Sequence, residues 1–217
     1  AGMIEVAVTV GELVLMDRLW KPELHHGVHG GSRPDQATSV LCVVTWNIQF
    51  GAQVAAAAEA LQHSDELSSA DIVLLQEMDD VGTEAIARSV GLNYVFASSG
   101  VHARTGRHFG NAVLSKWPLR NPDVVLLSHR SVVQGQDRIA VRATVSFGEV
   151  DVDACSVHTE VPSLSPPKRR RQFEEIAEAT KRWEPDRLIV GGDFNTLTGR
   201  GARLVSHRMQ RIGAACV

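Results

Sequence analysis

Polar residues able to bind a metal or a phosphate occur at the ends of four apolar segments of the sequence. These residues are Asn47, Glu77, His158, Asp193 and Asn195. Ligands gather at strand ends because loops there project polar groups from a rigid scaffold. A single residue of this kind would be an ordinary loop residue. Their repetition predicts that the five side chains meet in one site.

The types of these side chains indicate which cation the site would select. Carboxylate and amide oxygens, without paired Cys or a His-x-x-x-His spacing, favour Mg²⁺ or Mn²⁺ over zinc. A hard cation held by carboxylates is a usual partner of phosphate oxygens. His and Asn can stabilise charge that builds on phosphorus, and a second Asp can orient or deprotonate water. The combination predicts phosphoester hydrolysis.

The elements that must position these residues are short apolar strands alternating with helices. Strands are predicted at residues 40–44, 71–76, 94–97, 112–115, 124–127 and 187–190, and helices at 54–61, 82–90, 166–183 and from 204 onward. Residues 139–147 and 150–157 have the pattern of a hairpin, and alternate residues from Ile139 to Phe147 form one apolar face. An antiparallel hairpin among alternating strands and helices predicts a mixed α/β fold.

Five segments carry a resemblance to a known family. They are residues 45–48 (TWNI), 74–77 (LLQE), 110–118 (GNAVLSKWP), 156–160 (SVHTE) and 191–195 (GGDFN). In this order they resemble the motifs of the endonuclease/exonuclease/phosphatase superfamily, the DNase I-like metal-dependent phosphoesterases. The resemblance implies a four-layered α/β sandwich, with two mixed β-sheets packed face to face and helices outside.

The resemblance also implies a role for each site residue. Asn47 and Glu77 would bind the metal, Mg²⁺ or Mn²⁺. His158 would donate to the scissile phosphate, Asp193 would orient the attacking water, and Asn195 would be a second donor on the phosphate side.

Two further residues, Asn111 and Arg138, match positions that support the substrate site in this family. The implied substrate is a phosphoester of a small molecule, a lipid headgroup or a nucleic acid. A small molecule or lipid headgroup is slightly preferred over duplex DNA, because nucleases of this family typically add a Tyr in the site and a basic surface, and the sequence indicates neither.

The C-terminal part departs from the superfamily pattern, which closes with a Ser-Asp-His element. Ser206-His207 lacks the Asp and is predicted to be a solvated pair on a surface helix. We therefore expect a domain at residues 39–217 that is truncated at its C-terminus, with an exposed sheet edge or a partly disordered C-terminus, and with weak or absent activity. The alternatives are a non-catalytic binding module on the same sandwich and a DNA endonuclease.

Composition limits the function classes further. The 217 residues have a net charge of −3, which argues against a protein whose whole surface holds a phosphate backbone. No window approaches the roughly 20 apolar residues of a membrane span. Cys42, Cys155 and Cys216 are too few for a disulfide framework, which favours a reducing, cytoplasmic location. A monomer is the default expectation.

Two charged or histidine-rich segments are predicted to be structurally ordinary. The basic residues 168–171 open a helix, and such a run is more often a solvated face than a substrate contact. His25, His26 and His29 could bind a metal, but they lie in a glycine-rich stretch without an acidic or Cys partner. Residues 1–38 are therefore predicted to be an irregular lead-in.

Overall fold

A computed structural model of the chain describes residues 22–30, 40–102, 105–130, 135–147, 149–161, 164–196, 198–211 and 213. The strands within these residues are β1 (Leu24–Gly27), β2 (Val43–Asn47), β3 (Ile72–Met78), β4 (Asn93–Val101), β5 (His108–Ser115), β6 (Leu119–Leu127), β7 (Arg138–Phe147), β8 (Val150–His158) and β9 (Leu188–Asp193). The helices are α1 (Val54–His63), α2 (Asp80–Val90), α3 (Pro166–Trp183) and α4 (Gly199–Gln210).

The strands form two mixed sheets. The first sheet has the order β1-β4-β5-β3-β2 and the second has the order β6-β7-β8-β9. The pairs β2–β3 and β8–β9 are parallel, whereas the other pairs are antiparallel. Within the described residues β9 has one hydrogen-bonded neighbour, β8. The predicted hairpin is confirmed as β7–β8, with Phe147 opposite Val150.

An apolar layer lies between the two sheets. The predicted apolar face of β7 supplies four buried residues of this layer, and β3, β4 and β5 of the first sheet supply residues that pack against it. The central residues are Ile72, Leu74, Val95, Val113, Ile139, Val141 and Val145. Because helices also cover the outer faces, the central strands are buried on both sides, which explains their continuous apolar sequences.

The two helical layers complete the four-layered sandwich. Leu61 of α1 and Ile86 of α2 pack in one cluster with Leu75 and Phe96 of the first sheet. A third cluster joins α3 and α4 to the outer face of the second sheet, through Phe173, Ile176, Val205, Met209, Cys155 and Val157. The α/β sandwich predicted from the sequence is confirmed.

Helix ends follow local sequence signals. Asp79 caps α2 by accepting a hydrogen bond from Gly82 N at 2.6 Å, and Gly91 ends this helix in the left-handed conformation at φ 70°. Pro166 opens α3, where its missing N–H is tolerated. None of the described helices is both long and apolar enough to cross a membrane.

The structure differs from the sequence prediction near the N-terminus. Residues 24–27, predicted to be irregular, form β1, which pairs antiparallel with β4 and places His25 opposite Phe96. The prediction was wrong here because a four-residue edge strand has no periodicity of its own and depends on pairing with a distant strand. A smaller difference is β2, which begins at Val43 rather than residue 40. Ile212 and Cys216 lie outside the described residues.

Candidate active site

The parallel strand pairs bring the predicted site residues to one edge of the sandwich. Asn47 ends β2 and lies opposite Gln76 of β3, while His158 ends β8 and lies opposite Asp193, the last residue of β9. A hydrogen bond from Asn47 Nδ2 to Asp193 Oδ2, at 3.0 Å, joins the two pairs across the sheets. Residues separated by 146 positions in the sequence therefore share one site.

Glu77 enters the site through a β-bulge. The register between β3 and β5 shifts between Leu75 and Met78, and Glu77 itself has a left-handed backbone at φ 58°. Leu75 and Met78 both pack on the helical side of the sheet, so simple alternation does not hold here. A left-handed, non-glycine residue is uncommon and recurs at functional sites. The carboxylate is held by Phe50 N, which donates to Oε2 at 3.2 Å.

His158 is buried, and its neighbours define which ring nitrogen carries the proton. Arg138 Nη1 lies 3.3 Å from Nδ1 of His158. Because a guanidinium can only donate, Nδ1 accepts and Nε2 carries the hydrogen. Nε2 points toward the two acidic residues, 3.8 Å from Glu77 Oε1 and 4.0 Å from Asp193 Oδ2.

The charge state of His158 follows from its surroundings. Burial, and then the charge of Arg138, lower the pKa of His158 well below its ordinary value. The imidazole is therefore neutral at pH 7, and its approaches to the two carboxylates are not ion pairs. His158 presents a neutral N–H donor to the site.

Arg138 forms a buried ion pair behind His158. Its Nε donates to Glu160 Oε2 at 2.9 Å, and both side chains are almost completely buried. Glu160 is itself held by two further bonds, from Val161 N to its Oε1 and from its backbone N to Gln172 Oε1. Arg138, predicted to support the substrate, is placed here to orient His158.

Asp193 is oriented through both of its carboxylate oxygens. Asn195 N donates to Oδ1 at 2.8 Å, while Asn47 Nδ2 occupies Oδ2. Asn195 has a left-handed backbone at φ 48°, and its Nδ2 donates to the Thr159 carbonyl at 2.8 Å. The backbone N–H of Asn195 therefore helps to fix the orientation of the Asp193 carboxylate.

Buried amides below the site join the two sheets. Asn111 Nδ2 donates to the carbonyls of Ile139 at 3.0 Å and Ser156 at 3.3 Å, so this residue of the first sheet binds the backbone of the second. Gln76 makes a parallel connection, because its Nε2 donates to Ser156 Oγ at 3.0 Å. The sequence identified Asn111 but missed Gln76, which carries no chemical signal apart from preceding Glu77.

The donor set fits a hard cation at Glu77 and Asn47. Desolvation by burial raises the pKa of Glu77 and the charge of Asp193 raises it further, against opposing contributions from Asn47, Arg138 and Phe50 N. Two carboxylates close together in a half-buried site favour a bound positive charge. Asn47 presents its amide between them, and rotation of that amide exchanges nitrogen for oxygen. Oxygen ligands of this kind suit Mg²⁺.

Arg169 is the clearest residue that the sequence interpretation missed. Its Nη2 donates to the carbonyls of Asn195 at 2.8 Å and Phe194 at 3.2 Å, and its Nε donates to the Glu160 carbonyl at 3.1 Å. The prediction of a solvated face for residues 168–171 is therefore wrong at Arg169. Helical periodicity alone could not show this, because the partners lie on loops distant in sequence.

The neighbouring arginines do follow the prediction. Arg170 and Arg171 are exposed and face glutamates of the same helix, with closest approaches of 3.9 Å to Glu174 and 3.1 Å to Glu175. These acidic partners reduce the positive potential that a nucleic acid would meet. His207 is exposed on α4, as predicted.

The profile of one known protein family matches most of the chain. The sequence profile of the Endonuclease/Exonuclease/phosphatase family matches residues 44–209. No curated protein sequence matches the chain.

Solved structures of similar fold include three kinds of protein. A beta toxin variant of Staphylococcus aureus with bound magnesium ions is 16% identical, with a TM-score of 0.60 over 77% of this chain and 69% of that chain. Sphingomyelinase C from Streptomyces griseocarneus is 16% identical, with a TM-score of 0.59 over 79% and 70%. D. rerio TDP2 with a single-strand DNA product is 16% identical, with a TM-score of 0.58 over 83% and 67%.

Proposed function

The chain belongs to the endonuclease/exonuclease/phosphatase family, and on this premise we propose that it hydrolyses a phosphoester with a metal-activated water, using Mg²⁺. One observation carries the proposal: carboxylate oxygens of Glu77 and Asp193 both lie within 4.0 Å of Nε2 of His158. The arrangement brings together a carboxylate for the metal, a base and a hydrogen-bond donor, which metal-assisted phosphoryl transfer to water requires.

Glu77 and Asn47 are the proposed metal ligands. A bound Mg²⁺ supplies Lewis-acid stabilisation of the charge on the phosphoryl oxygens. The left-handed backbone at Glu77 and the bond from Phe50 N fix the carboxylate before any ion binds. Because the carboxylate is already in position, it does not have to move during the reaction.

Asp193 and His158 are the proposed catalytic groups. Asp193, held at both oxygens, would orient the attacking water and accept its proton. His158 would donate its Nε2–H to a non-bridging phosphoryl oxygen as charge builds there. Arg138, through Nδ1, keeps this donor aimed at the site.

The substrate class we propose is a phosphoester of a small molecule or a lipid headgroup. The net charge of −3 and the pairing of Arg170 and Arg171 with glutamates support this choice over duplex DNA. DNA hydrolysis and binding without turnover are the two other outcomes that the experiment separates.

The test is a turnover assay of the purified chain on phosphodiester, phosphomonoester and DNA substrates, with Mg²⁺, with Mn²⁺ or with EDTA. We expect metal-dependent turnover that falls about 100-fold or more in Glu77→Gln and Asp193→Asn, because each removes a charge that acts in the transition state. Glu59→Gln, an exposed carboxylate on α1, is the matched control and should retain activity. Unchanged turnover in both site variants would overturn the proposal, and no turnover by the parent chain would favour the binding module.

A further inference from the structure

A second group of metal-ligating side chains lies outside the candidate active site. Glu23, His25 and His108 each offer one ligand atom, and these atoms lie within 4.8 Å of one another. Glu23 Oε2 is 3.8 Å from His25 Nε2 and 4.0 Å from His108 Nε2. Ligand atoms around a tetrahedral zinc ion are roughly 3.3 Å apart, given bonds of about 2.0 Å. A small side-chain movement would therefore close the group around one ion.

Paired backbone holds the three residues near one another. Glu23 is anchored by its carbonyl, which accepts a hydrogen bond from Ser98 N at 3.0 Å. His25 lies in β1 opposite Phe96 of β4, and His108 begins β5 opposite Val101 of the same strand. The two histidines thus come from strands that flank β4 on one sheet, and Glu23 directly precedes β1.

This group is separated from the active site by the first sheet. Phe109 has its ring 6.3 Å from that of His158, on the side of the active site. Consecutive residues of a strand point to opposite faces, so His108 faces away from His158. His108 instead approaches Asp80 in the first turn of α2, which covers the outer face of the sheet.

Asp80 lies beside the second ring nitrogen of His108, where a carboxylate could orient the ring. Its Oδ2 lies 3.6 Å from His108 Nδ1, while His108 Nε2 faces Glu23. Histidine ligands of metals commonly donate their second ring nitrogen to a carboxylate, which fixes the ring and its tautomer. Asp80 would fix His108 with Nε2 toward the ion.

Two ring nitrogens of the group are buried without a hydrogen bond among the described residues. They are His25 Nε2 and His108 Nδ1. Buried polar atoms of this kind are unfavourable, and most have a partner in folded proteins. The ring of His25 is positioned by edge contacts with Phe96 and His108, at centroid distances of 5.8 and 5.7 Å. Its Nε2 is therefore held toward Glu23, 3.8 Å from Oε2, which is too far for a hydrogen bond.

We propose that Glu23, His25 and His108 form a Zn²⁺ site that fastens β1 to the first sheet, with Asp80 as the supporting carboxylate. Two imidazoles and one carboxylate suit Zn²⁺ and other borderline divalent ions rather than Mg²⁺. The side chains of His25 and His108 are about one-third exposed, so water can occupy the fourth ligand position. The site is independent of the proposed hydrolytic activity.

The test measures zinc bound to the purified, untagged chain by equilibrium dialysis and elemental analysis, with excess Mg²⁺ present. We expect one equivalent of Zn²⁺ in the parent chain, and loss of that equivalent in His25→Ala and in His108→Ala. His26→Ala is the matched control, because His26 is the next residue of β1 and is exposed. Both His26→Ala and Glu77→Gln should retain the ion. Asp80→Asn should weaken zinc binding about 10-fold or more.

Thermal melting separates metal binding from general damage to the fold. Zn²⁺ should raise the melting temperature of the parent chain and of His26→Ala, but not that of His25→Ala. His25→Gln, which keeps a polar side chain on β1, should behave like His25→Ala if the ligand is the imidazole. The proposal is overturned if the folded parent chain binds no zinc, if the histidine variants keep it, or if only Glu77→Gln loses it.

Discussion

Arg138 shows how one buried side chain can decide what another presents to a site. An isolated imidazole can carry its proton on either nitrogen, but a guanidinium beside Nδ1 leaves only Nε2 for the hydrogen. Glu160 compensates the buried guanidinium from the other side at 2.9 Å. The Arg138–Glu160 ion pair therefore determines that Nε2 of His158 carries the hydrogen, without any contact between the pair and a substrate being needed.

The Arg138–Glu160 pair should be costly to break from one side only. Arg138→Gln should lower the free energy of unfolding by about 3–5 kcal/mol, because the fully buried Glu160 would lose its cation. The double variant with Glu160→Gln should recover most of that loss, since no uncompensated charge remains. Urea denaturation of the two single variants and the double variant measures the coupling, and simply additive losses would contradict the argument.

Among the elements, α3 contacts both the second sheet and the loop of the candidate site. Arg169 binds the carbonyls that follow Asp193, whereas Arg170 next to it faces Glu174. The start of this helix therefore holds the loop after β9 in place. Because Arg169 and Arg170 carry the same charge, comparing them separates the effect of holding the loop from the effect of a positive charge.

We expect Arg169→Ala to lower kcat by about 10- to 100-fold, because small displacements of a catalytic group have effects of this size. Arg170→Ala removes the same charge without touching the loop and should change kcat less than twofold. Steady-state kinetics on the substrate found active in the turnover assay measures both. Equal losses in the two variants would indicate that the positive charge itself, and not the position of Asp193, matters.

The path of β9 into the site depends on Gly192. Its backbone has φ 151°, and a Cβ there would overlap the carbonyl of Val157 in β8. Gly106 also has a positive φ, of 66°, but nothing lies within 4 Å of the position its Cβ would take. Comparing the two glycines separates backbone strain from steric overlap.

Gly192→Ala should lower the free energy of unfolding by about 3 kcal/mol, because the cost of overlap with β8 adds to the cost of backbone strain. Gly106→Ala should lower it by only about 1 kcal/mol, from strain alone. Thermal or urea denaturation gives both values. A loss in Gly192→Ala no larger than that in Gly106→Ala would show that β8 and β9 can separate slightly without penalty.

At the scale of the whole molecule, the sequence predicted what depends on local patterns and burial. Doubly buried strands produce continuous apolar segments that end in polar residues, so the approach of Glu77 and Asp193 to a common site could be predicted without a structure. The contacts of Arg169 and the pairing of β1 could not be predicted, because each depends on partners remote in sequence. The same limit hid the approach of His25 to His108, since neither residue has an informative neighbour.

The reactivity of Cys155 can show whether the sandwich unfolds as one cooperative unit. This residue is fully buried in the cluster between the second sheet and α3, and burial raises the pKa of its thiol to about 12. The native thiol is therefore protonated at pH 8 and unreactive. Cys42 is partly exposed and provides an internal comparison in the same chain.

Alkylation with iodoacetamide at pH 8, followed by mass spectrometry of the peptides, should modify Cys42 in the native state and Cys155 only at the rate of global unfolding. Urea should accelerate the second reaction alone. Because the native pKa lies above the unfolded value near 9, the native state retains a proton that the unfolded state loses. Stability should therefore fall as pH rises from about 9 toward 12. Rapid labelling of Cys155 without urea would show that α3 separates from the second sheet before the sandwich unfolds.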